Sequence, residues 1–280
     1  MISVLQLDRL DYATGLRLQQ RMVELRKAGQ IGDVLLLLEH PPVITLGRNA
    51  KAANVVASTQ ELSRRGVEVF ECDRGGDVTF HGPGQIVGYP IFDLRRFPSS
   101  EVKRKTLGVV EYVRRLEEVL IRTCADFGIA TRRIEGLTGV WTVGGETQST
   151  APDRPAMDSS PIEISKNTEA KIAALGIHIS RGVTSHGFAL NVNAELSYFD
   201  LIIPCGITSK PVTSMQKELG REVSLQDVSN SISRNFGTVF ASQILWLESL
   251  DALLGETVGV PMKPPEELRK LHKEEDQFWA

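Results

Sequence analysis

Residues 74–85 read R-G-G-D-V-T-F-H-G-P-G-Q, and this stretch decides how the rest of the chain is interpreted. Four glycines and one proline bury little side-chain surface, and glycine loses more backbone freedom on folding than any other residue. Such a composition is typical of backbone that turns sharply or passes close to a ligand. Arg74, Thr79, His81 and Gln85 add polar side chains. The stretch therefore predicts a loop that cradles a substrate, with an ordinary Gly-rich hairpin as the alternative.

Hydrophobic patterns on both sides of this loop predict alternating strands and helices. Residues 2–7 form one predicted strand, and the continuous apolar run 34–38 forms another that is buried on both faces. Residues 43–46 are predicted to return as its partner strand. Further predicted elements are a helix N-capped by Asp11, a short helix at 60–65, strands at 67–72 and 86–94, a long helix at about 106–127 with the apolar stripe Val109, Val113, Leu116, Leu120, Cys124 and Phe127, a hairpin at 175–192, and a helix from Ser224 to Phe240.

The order of these elements predicts the fold class. Strands and helices interleave and most strand connections are of hairpin length, so we expect an α+β fold with a mixed, largely antiparallel sheet flanked by helices. Residues 1–242 form the predicted main domain, in which the polar segment 143–169 is a loop insertion. Residues 243–280 form a predicted helical C-terminal tail. Its apolar helix carries Ile244, Leu247, Leu250 and Leu254.

Composition excludes several classes of function. A net charge of −3 gives no global field that would attract nucleic acid. The three cysteines are far apart and lack a C-x-x-C pair, which argues against a disulfide framework or a zinc site and favours a reducing cytoplasm. We find no signal peptide and no apolar run of the roughly 20 residues that span a bilayer. A cytoplasmic protein that binds neither nucleic acid, membrane nor metal is expected.

The cysteines differ in their surroundings. Cys124 belongs to the apolar stripe of the long helix and is predicted to be structural. Cys72 precedes the Gly-rich loop, but the flanking Glu71 and Asp73 would oppose formation of a thiolate. Cys205 follows an apolar strand and lies between a proline and a glycine, which favours an accessible thiol. Taken alone, this position suits a nucleophile and a structural residue equally.

A nucleophilic cysteine needs a basic or positive neighbour, because a thiol with a pKa of about 8.5 is mostly protonated at neutral pH. The candidates are His81, His186 and Lys171. Lys171 begins a stretch that becomes apolar at once, where a charge is costly unless it has a partner. The alternative is a lysine at a strand start whose ammonium group extends into solvent.

Six blocks resemble those of the lipoyl (octanoyl) transferases, in that family's order. They cover roughly residues 1 to 220, and the family resembles lipoate- and biotin-protein ligases in fold. The segment 143–169 is longer than the family pattern usually has. The blocks lie at residues 39–48, 74–85, 136–141, 171–176, 186–191 and 204–207.

The resemblance implies a reaction. Octanoyl arrives as a thioester on the phosphopantetheine of acyl carrier protein, and Cys205 attacks it to form an acyl-enzyme. A lysine then takes the acyl group; it belongs to a lipoyl domain of a 2-oxoacid dehydrogenase complex or to the glycine cleavage H protein. Lys171 would face Cys205 and lower the pKa of its thiol. Neither ATP, a metal nor another cofactor is needed.

The same resemblance assigns substrate-binding positions. The Gly-rich loop and the two following blocks would line the acyl tunnel and direct backbone N–H groups at the thioester oxygen. These positions are Arg74, Gly75, Gly76, Asp77, Val78, Thr79, Phe80, His81, Ala174, Leu175, Gly176, Gly187, Phe188 and Ala189. Basic clusters at 95–96, 103–105 and 132–133 are predicted to dock the acidic carrier protein.

Alternatives remain open at this point. An ATP-dependent lipoate- or biotin-protein ligase would share the fold, but it would need an adenylate-binding loop and no acyl-cysteine. A carrier-binding module without catalysis would make the pairing of Lys171 with Cys205 a coincidence. A cysteine hydrolase would have to admit water, which an intermediate destined for an amine must exclude.

Overall fold

The computed structural model describes residues 1–102, 104–143, 169–204 and 210–253. Cys205 and Lys103 lie outside the described residues. So do residues 144–168 of the predicted loop insertion and residues 254–280 of the predicted tail. Predictions about those positions stay predictions.

The described chain contains helices and strands in alternation. The strands are β1 (Ile2–Arg9), β2 (Asp33–Glu39), β3 (Val43–Leu46), β4 (Glu68–Glu71), β5 (Val78–His81), β6 (Gln85–Ile91), β7 (Thr131–Ile134), β8 (Leu137–Thr142), β9 (Lys171–Ser180), β10 (Val183–Asn191) and β11 (Ile244–Leu247). The α-helices are α1 (Tyr12–Lys27), α2 (Thr59–Arg64), α3 (Val109–Asp126), α4 (Met215–Leu219) and α5 (Leu225–Val239).

Eight of these strands form one sheet in the order β11-β1-β2-β6-β10-β9-β8-β7. β1 pairs in parallel with β2 and β11, and the other pairings in the sheet are antiparallel. Helix α1 connects β1 to β2, as a parallel pair requires, because its strands need a long crossover. The predicted α+β class with a mixed, largely antiparallel sheet is confirmed.

The smaller sheet corrects one prediction. Its order is β4-β3-β5, with Val43 opposite Glu68 in the parallel pair and Ile44 opposite Phe80 in the antiparallel pair. The prediction that β3 returns beside β2 is therefore wrong. Both edges of β2 are already occupied, by β1 and β6, so β3 has no ladder to join there.

The beginning of the predicted tail also differs. Ile244–Leu247 form β11, parallel to β1, whereas the sequence predicted a helix there. The spacing of Ile244 and Leu247 suits a helix, but the free edge of β1 offers backbone hydrogen bonds to an extended segment. Leu247, Leu250 and Leu253 are buried against the face of the sheet that α1 covers. The domain boundary at 242/243 stays a prediction.

The large sheet separates two hydrophobic cores. Val34, Leu36 and Leu38 of β2 pack with α1, while Leu35 and Leu37 pack with α3 and α5 on the opposite face. This confirms that β2 is buried on both faces. The predicted α3 stripe is wrong at its first two members, because Val109 is 52% exposed and Val113 is only half-buried, while the buried face begins at Tyr112. Among the described residues, no helix is long and apolar enough to cross a membrane.

Candidate active site

A narrow pocket opens between the Gly-rich loop, helix α1 and strands β6, β9 and β10. Ten of the fourteen predicted substrate-binding residues line it, while Gly75, Asp77, Val78 and Phe80 do not. Their role toward a substrate stays a prediction. The lining residues are Tyr12, Arg74, Gly76, Thr79, His81, Val87, Tyr89, Ala174, Leu175, Gly176, His186, Gly187, Phe188 and Ala189.

Glycines let the walls of this pocket approach each other. Gly176 of β9 lies opposite Gly187 of β10, and the Gly75 N–H donates to the Ile177 carbonyl at 2.9 Å. A Cβ atom on Gly176 would lie 2.8 Å from the Gly75 carbonyl oxygen, and one on Gly187 would lie 2.2 Å from the Gly88 carbonyl oxygen. Side chains at these positions would push the loop and β6 away from the hairpin.

Arg74 organises the Gly-rich loop from inside. Its guanidinium is buried and donates to the carbonyl and hydroxyl oxygens of Thr45 and to the carbonyl oxygens of Gly75 and Asp77. These acceptors are uncharged, so the positive charge is held in the wall of the pocket. The structure shows that Arg74 lines the pocket and fixes the loop's shape, while its predicted contact with a substrate stays a prediction.

Four rings form an aromatic floor beside the pocket: Tyr12, His81 and Tyr89 line it, and His40 packs against all three. His40 Nδ1 lies 2.6 Å from the Leu10 carbonyl oxygen, which can only accept, so His40 Nε2 accepts the Tyr89 hydroxyl at 2.7 Å. The Tyr12 ring packs against the imidazoles of His40 and His81, with ring centroids 5.3 and 6.3 Å away, and the two imidazoles lie 6.0 Å from each other. The sequence prediction omitted Tyr12, His40 and Tyr89 from the site, because their meeting depends on three distant elements.

Burial keeps this floor uncharged at neutral pH. Desolvation lowers the pKa of His40 to about 4 and that of His81 to about 3, so both imidazoles are neutral at pH 7. Burial also raises the pKa of the Tyr12 and Tyr89 hydroxyls well above their usual range. A neutral floor of rings suits the end of an apolar chain.

Both candidate histidines are engaged by other residues. His81 Nδ1 lies 2.7 Å from Gln85 Oε1, and His186 Nε2 lies 2.7 Å from Asp73 Oδ1. His186 has a φ of +54°, and its N–H donates to Gln19 Oε1. Burial lowers the pKa of His186, although the bond to Asp73 opposes this. Burial would raise the pKa of Asp73, but the hydrogen bond and charge of His186, the charge of His178 and a backbone hydrogen bond together outweigh burial and lower that pKa.

Lys171 is buried at the entrance of β9. Only 7% of its surface is exposed, and its Nζ lies 4.7 Å from the centre of the Trp141 ring, within range of a cation–π interaction. The alternative in which its ammonium extends into solvent does not hold. Lys171 is not among the residues that line the pocket.

Lys171 holds the chain that follows Cys205. Its N–H donates to the Pro211 carbonyl at 2.8 Å, and its own carbonyl accepts the Thr213 N–H at 2.9 Å. At the other end of the same segment, the Ile203 N–H donates to the Asn54 carbonyl at 2.7 Å. The described chain is therefore fixed on both sides of residues 205–209, which contain Cys205.

Hydrogen bonds link the pocket to Lys171. Gln85 Nε2 donates to Asn191 Oδ1 at 2.8 Å, and Asn191 Nδ2 donates to the Thr213 carbonyl at 2.9 Å. Since Gln85 also bonds to His81 and Thr213 bonds to Lys171, a continuous chain of polar contacts runs from the pocket wall to the lysine.

The other two cysteines are free thiols. Cys124 is fully buried, and burial raises the pKa of its thiol to about 12, which agrees with a structural role. The Cys72 thiol donates to the Leu46 carbonyl at 3.4 Å. Within the described ranges, no group of three or more His, Cys, Asp or Glu side chains is arranged to hold a metal ion.

The predicted docking clusters are paired with carboxylates. Arg95 contacts Asp93, Arg133 contacts Glu117 and Glu118, Arg104 contacts Glu101, and Arg132 contacts Glu169. These pairs reduce the net positive charge of the clusters. Their role in docking stays a prediction.

Comparison with known proteins identifies the family. The sequence profile of the lipoyl protein ligase A/B catalytic domain matches residues 11–237. The chain is 57% identical over 275 residues to an octanoyltransferase of Koribacter versatilis, covering 98% of both chains. It is 54% identical over 258 residues to an octanoyltransferase of Acidobacterium capsulatum, covering 91% of this chain and 97% of the relative.

Solved structures show the same fold. A bipartite lipoate protein ligase of Thermoplasma acidophilum superposes with a TM-score of 0.63 at 16% identity, covering 97% of this chain and 90% of that one. A lipoate-protein ligase A bound with ATP superposes with a TM-score of 0.61 at 16% identity, covering 98% and 94%. The expected ligase-like fold is confirmed. The chain therefore belongs to the lipoyl protein ligase A/B catalytic domain family and, within it, to the octanoyltransferases.

Proposed function

We propose that this chain transfers an octanoyl group to a lysine of lipoyl-accepting proteins, with Cys205 as the nucleophile and Lys171 as its proton-transfer partner. The observation that supports the proposal is the burial of Lys171, whose backbone bonds to Pro211 and Thr213, six and eight residues after Cys205. A buried ammonium beside a thiol favours the thiolate. The full-length similarity to octanoyltransferases supports the choice of acyl group.

The pocket supports an apolar substrate. Glycine, alanine and aliphatic side chains line much of it, together with Phe188 and the rings of Tyr12, His81 and Tyr89. The Arg74 guanidinium in the wall is engaged by protein oxygens. Burial of one methylene group contributes about 0.8 kcal/mol, so the six methylenes of an octanoyl chain would contribute roughly 5 kcal/mol to binding. A heavily hydroxylated substrate would lose its hydration in this pocket without enough polar partners to replace it.

The reaction divides into two transfers. The Cys205 thiolate attacks the carbonyl carbon of an octanoyl thioester; the new carbon–sulfur bond forms, the old one breaks, and the departing thiolate takes a proton from Lys171. The amine of the acceptor lysine then attacks the acyl-cysteine. The carbon–nitrogen bond forms, the Cys205 sulfur leaves, and the proton of the amine passes through Lys171 to restore the resting state.

We infer the partners from the same chemistry. The donor is octanoyl on the phosphopantetheine of acyl carrier protein, and the acceptors are lipoyl domains of 2-oxoacid dehydrogenase complexes and the glycine cleavage H protein. A thioester already carries the free energy for forming an amide, so the proposed reaction uses neither ATP nor a metal. The proposed compartment is the cytoplasm, where the free thiols Cys72 and Cys124 would stay reduced.

The family distinguishes this proposal from an ATP-dependent ligase. The ligases resemble this chain in fold at 16% identity, whereas the relatives at 57% and 54% identity are octanoyltransferases. The test is transfer to an apo lipoyl domain with two donors. Octanoyl on acyl carrier protein should give octanoylated product without ATP, and free octanoate with ATP should give none. Product from octanoate and ATP, but not from the carrier, would refute the proposal.

A further inference from the structure

Glu117 is a fully buried carboxylate outside the pocket. It lies on α3 with no exposed surface, and its two oxygens accept hydrogen bonds from different directions. Oε2 accepts from Arg114 Nη1 at 2.7 Å and from Arg133 Nε at 3.2 Å. Oε1 accepts the backbone N–H of Gly139 on β8 at 3.1 Å. A buried carboxylate is costly unless its oxygens are used, and here both are.

Gly139 is the place where β8 makes room for Lys171. Its φ is +135°, a conformation that residues with a Cβ rarely adopt. A Cβ atom there would lie 2.9 Å from the Ala173 carbonyl oxygen and 3.3 Å from Lys171 Cε. The lysine stem therefore runs through the space that a side chain at position 139 would occupy.

The ladder between β8 and β9 is irregular at the same point. Val140 lies opposite Ala173 and Trp141 lies opposite Lys171, so β9 contains one extra residue between these pairs. Such a bulge redirects the side chains beside it. Lys171 Nζ lies over the Trp141 ring as a result of this register.

We infer that Glu117 is a positioning residue for Lys171. By accepting the Gly139 N–H, it fixes β8 at the positive-φ glycine that leaves room for the lysine stem, opposite the bulge of β9, and so keeps Trp141 beneath the ammonium group. The inference rests on the proposed function, in which Lys171 exchanges protons with Cys205. Glu117 acts from the far side of β8.

Variants of Glu117 separate positioning from simple stabilisation. Glu117→Gln keeps an oxygen that can accept from Gly139, whereas Glu117→Ala removes it. Glu118→Ala is the matched control, because Glu118 is the next residue of α3 and pairs with Arg122 of that helix and with Arg133 of β7. Two readouts are measured: steady-state octanoyl transfer, and the pH profile of Cys205 alkylation by iodoacetamide, resolved from Cys72 and Cys124 by peptide mass.

Glu117→Ala should lower kcat at least about tenfold with little change in KM, because a misplaced proton donor affects the chemical steps. Its alkylation midpoint should move to higher pH, as in Lys171→Ala. Glu117→Gln and Glu118→Ala should stay within about threefold of the unsubstituted protein in kcat and keep its midpoint. In a Lys171→Ala background, Glu117→Ala should add less than about a twofold loss, since both changes act through the same lysine.

An alkylation midpoint for Glu117→Ala equal to that of the unsubstituted protein would overturn the inference. The inference would also be overturned if Glu117→Ala lowered kcat in the Lys171→Ala background as much as it does in the unsubstituted protein. If Glu117→Ala does not fold, Gly139→Ala decides, because its Cβ would displace the lysine stem from the opposite side; an unshifted midpoint there refutes the inference. If Lys171→Ala alone changes neither readout, the proposed role of Lys171 fails, and the role of Glu117 fails with it.

Discussion

Lys171 places a long cationic side chain at the first position of a buried strand, over the ring of Trp141 and beside the chain that continues from Cys205. Its sequence context could indicate a costly charge, because apolar residues follow at once. The residues that surround Lys171 could not be predicted, because Trp141, Gly139 and Thr213 come from segments far from it along the chain. The structure brings them together at one end of β9.

Substitution of Lys171 tests its role directly. Lys171→Ala should lose roughly a hundredfold in kcat, because proton transfer by a positioned group contributes about 10²–10⁴-fold. It should still bind octanoyl carrier protein, since the pocket is lined by other residues. Lys210→Ala is the matched control: Lys210 Nζ lies 5.9 Å from the same ring and pairs with Glu169. An equal loss in both variants would show that general charge, not Lys171, matters.

His40 makes stability depend on pH. Burial lowers its pKa from 6.5 to about 4, so the folded protein resists the proton that the unfolded chain accepts. This contribution is complete above pH 6.5 and is lost as the pH falls from 6.5 through 4. A shift of that size corresponds to about 3 kcal/mol. Urea unfolding at pH 7 and pH 4.5 should therefore show a large loss of stability on acidification.

The variant His40→Gln tests whether His40 causes this pH dependence of stability. Because glutamine does not titrate, its free energy of unfolding should fall less over the same pH interval, even if it starts lower. His178→Gln, at a half-buried position beside Asp73, should retain the steep fall. If His40→Gln loses as much stability as the unsubstituted protein between the two pH values, another group causes the dependence.

At the scale of elements, the sequence predicted features that depend on neighbouring residues, but not the pairing of distant strands. The apolar run 34–38, the Asp11 cap and the Ser224 cap are local signals, and the structure confirms all three. The partner of β3 depends on which edges of β2 are already taken, and β11 depends on the free edge of β1. Neither edge can be read from the residues of the segment itself. The sequence analysis also missed the four-residue strand β5, because the glycines that flank it indicated a loop.

The close approach of Gly187 in β10 to the Gly88 backbone of β6 should be necessary for the pocket wall. Gly187→Ala would place a Cβ 2.2 Å from the Gly88 carbonyl oxygen, which forces β6 and β10 apart. We expect a loss of about 2 kcal/mol in the free energy of unfolding, typical of overpacking, together with weaker binding of octanoyl carrier protein. Gly32→Ala is the control, because no atom lies within 4 Å of its added Cβ. Equal stability of the two variants would contradict this account of the wall.

At the scale of the whole molecule, the large sheet carries the site on one hairpin and its neighbours. β9 presents Lys171 at one end and pocket residues Ala174, Leu175 and Gly176 further along. The sequence blocks at 74–85, 171–176 and 186–191 were predicted to form one site, and residues from all three line the pocket. The aromatic floor could not be predicted, because it requires knowing that α1 crosses the same face of the sheet.

Hydrogen bonds join the described residues on either side of the predicted insertion after β8. The Thr142 N–H donates to the Ala170 carbonyl at 2.9 Å, and the Ala170 N–H donates to Thr142 Oγ1 at 3.1 Å. Because the two ends already meet, removing about residues 146–160 should leave the fold intact and at least about a tenth of the activity, since loop length changes closure entropy only slowly. Circular dichroism and the transfer assay check this. Insoluble protein would show instead that the insertion belongs to the core.

The central claim is that Cys205 carries the acyl group. The measurement is the intact mass of the protein after mixing with octanoyl carrier protein in the absence of an acceptor. The account predicts that the unsubstituted protein gains the mass of one octanoyl group, that hydroxylamine removes it, and that Cys72→Ala and Cys124→Ala gain it equally. Cys205→Ala should gain nothing, and Cys205→Ser nearly nothing because a hydroxyl is far harder to deprotonate. An acylated Cys205→Ala protein, or a Cys72→Ala protein that stays unmodified, would contradict the account.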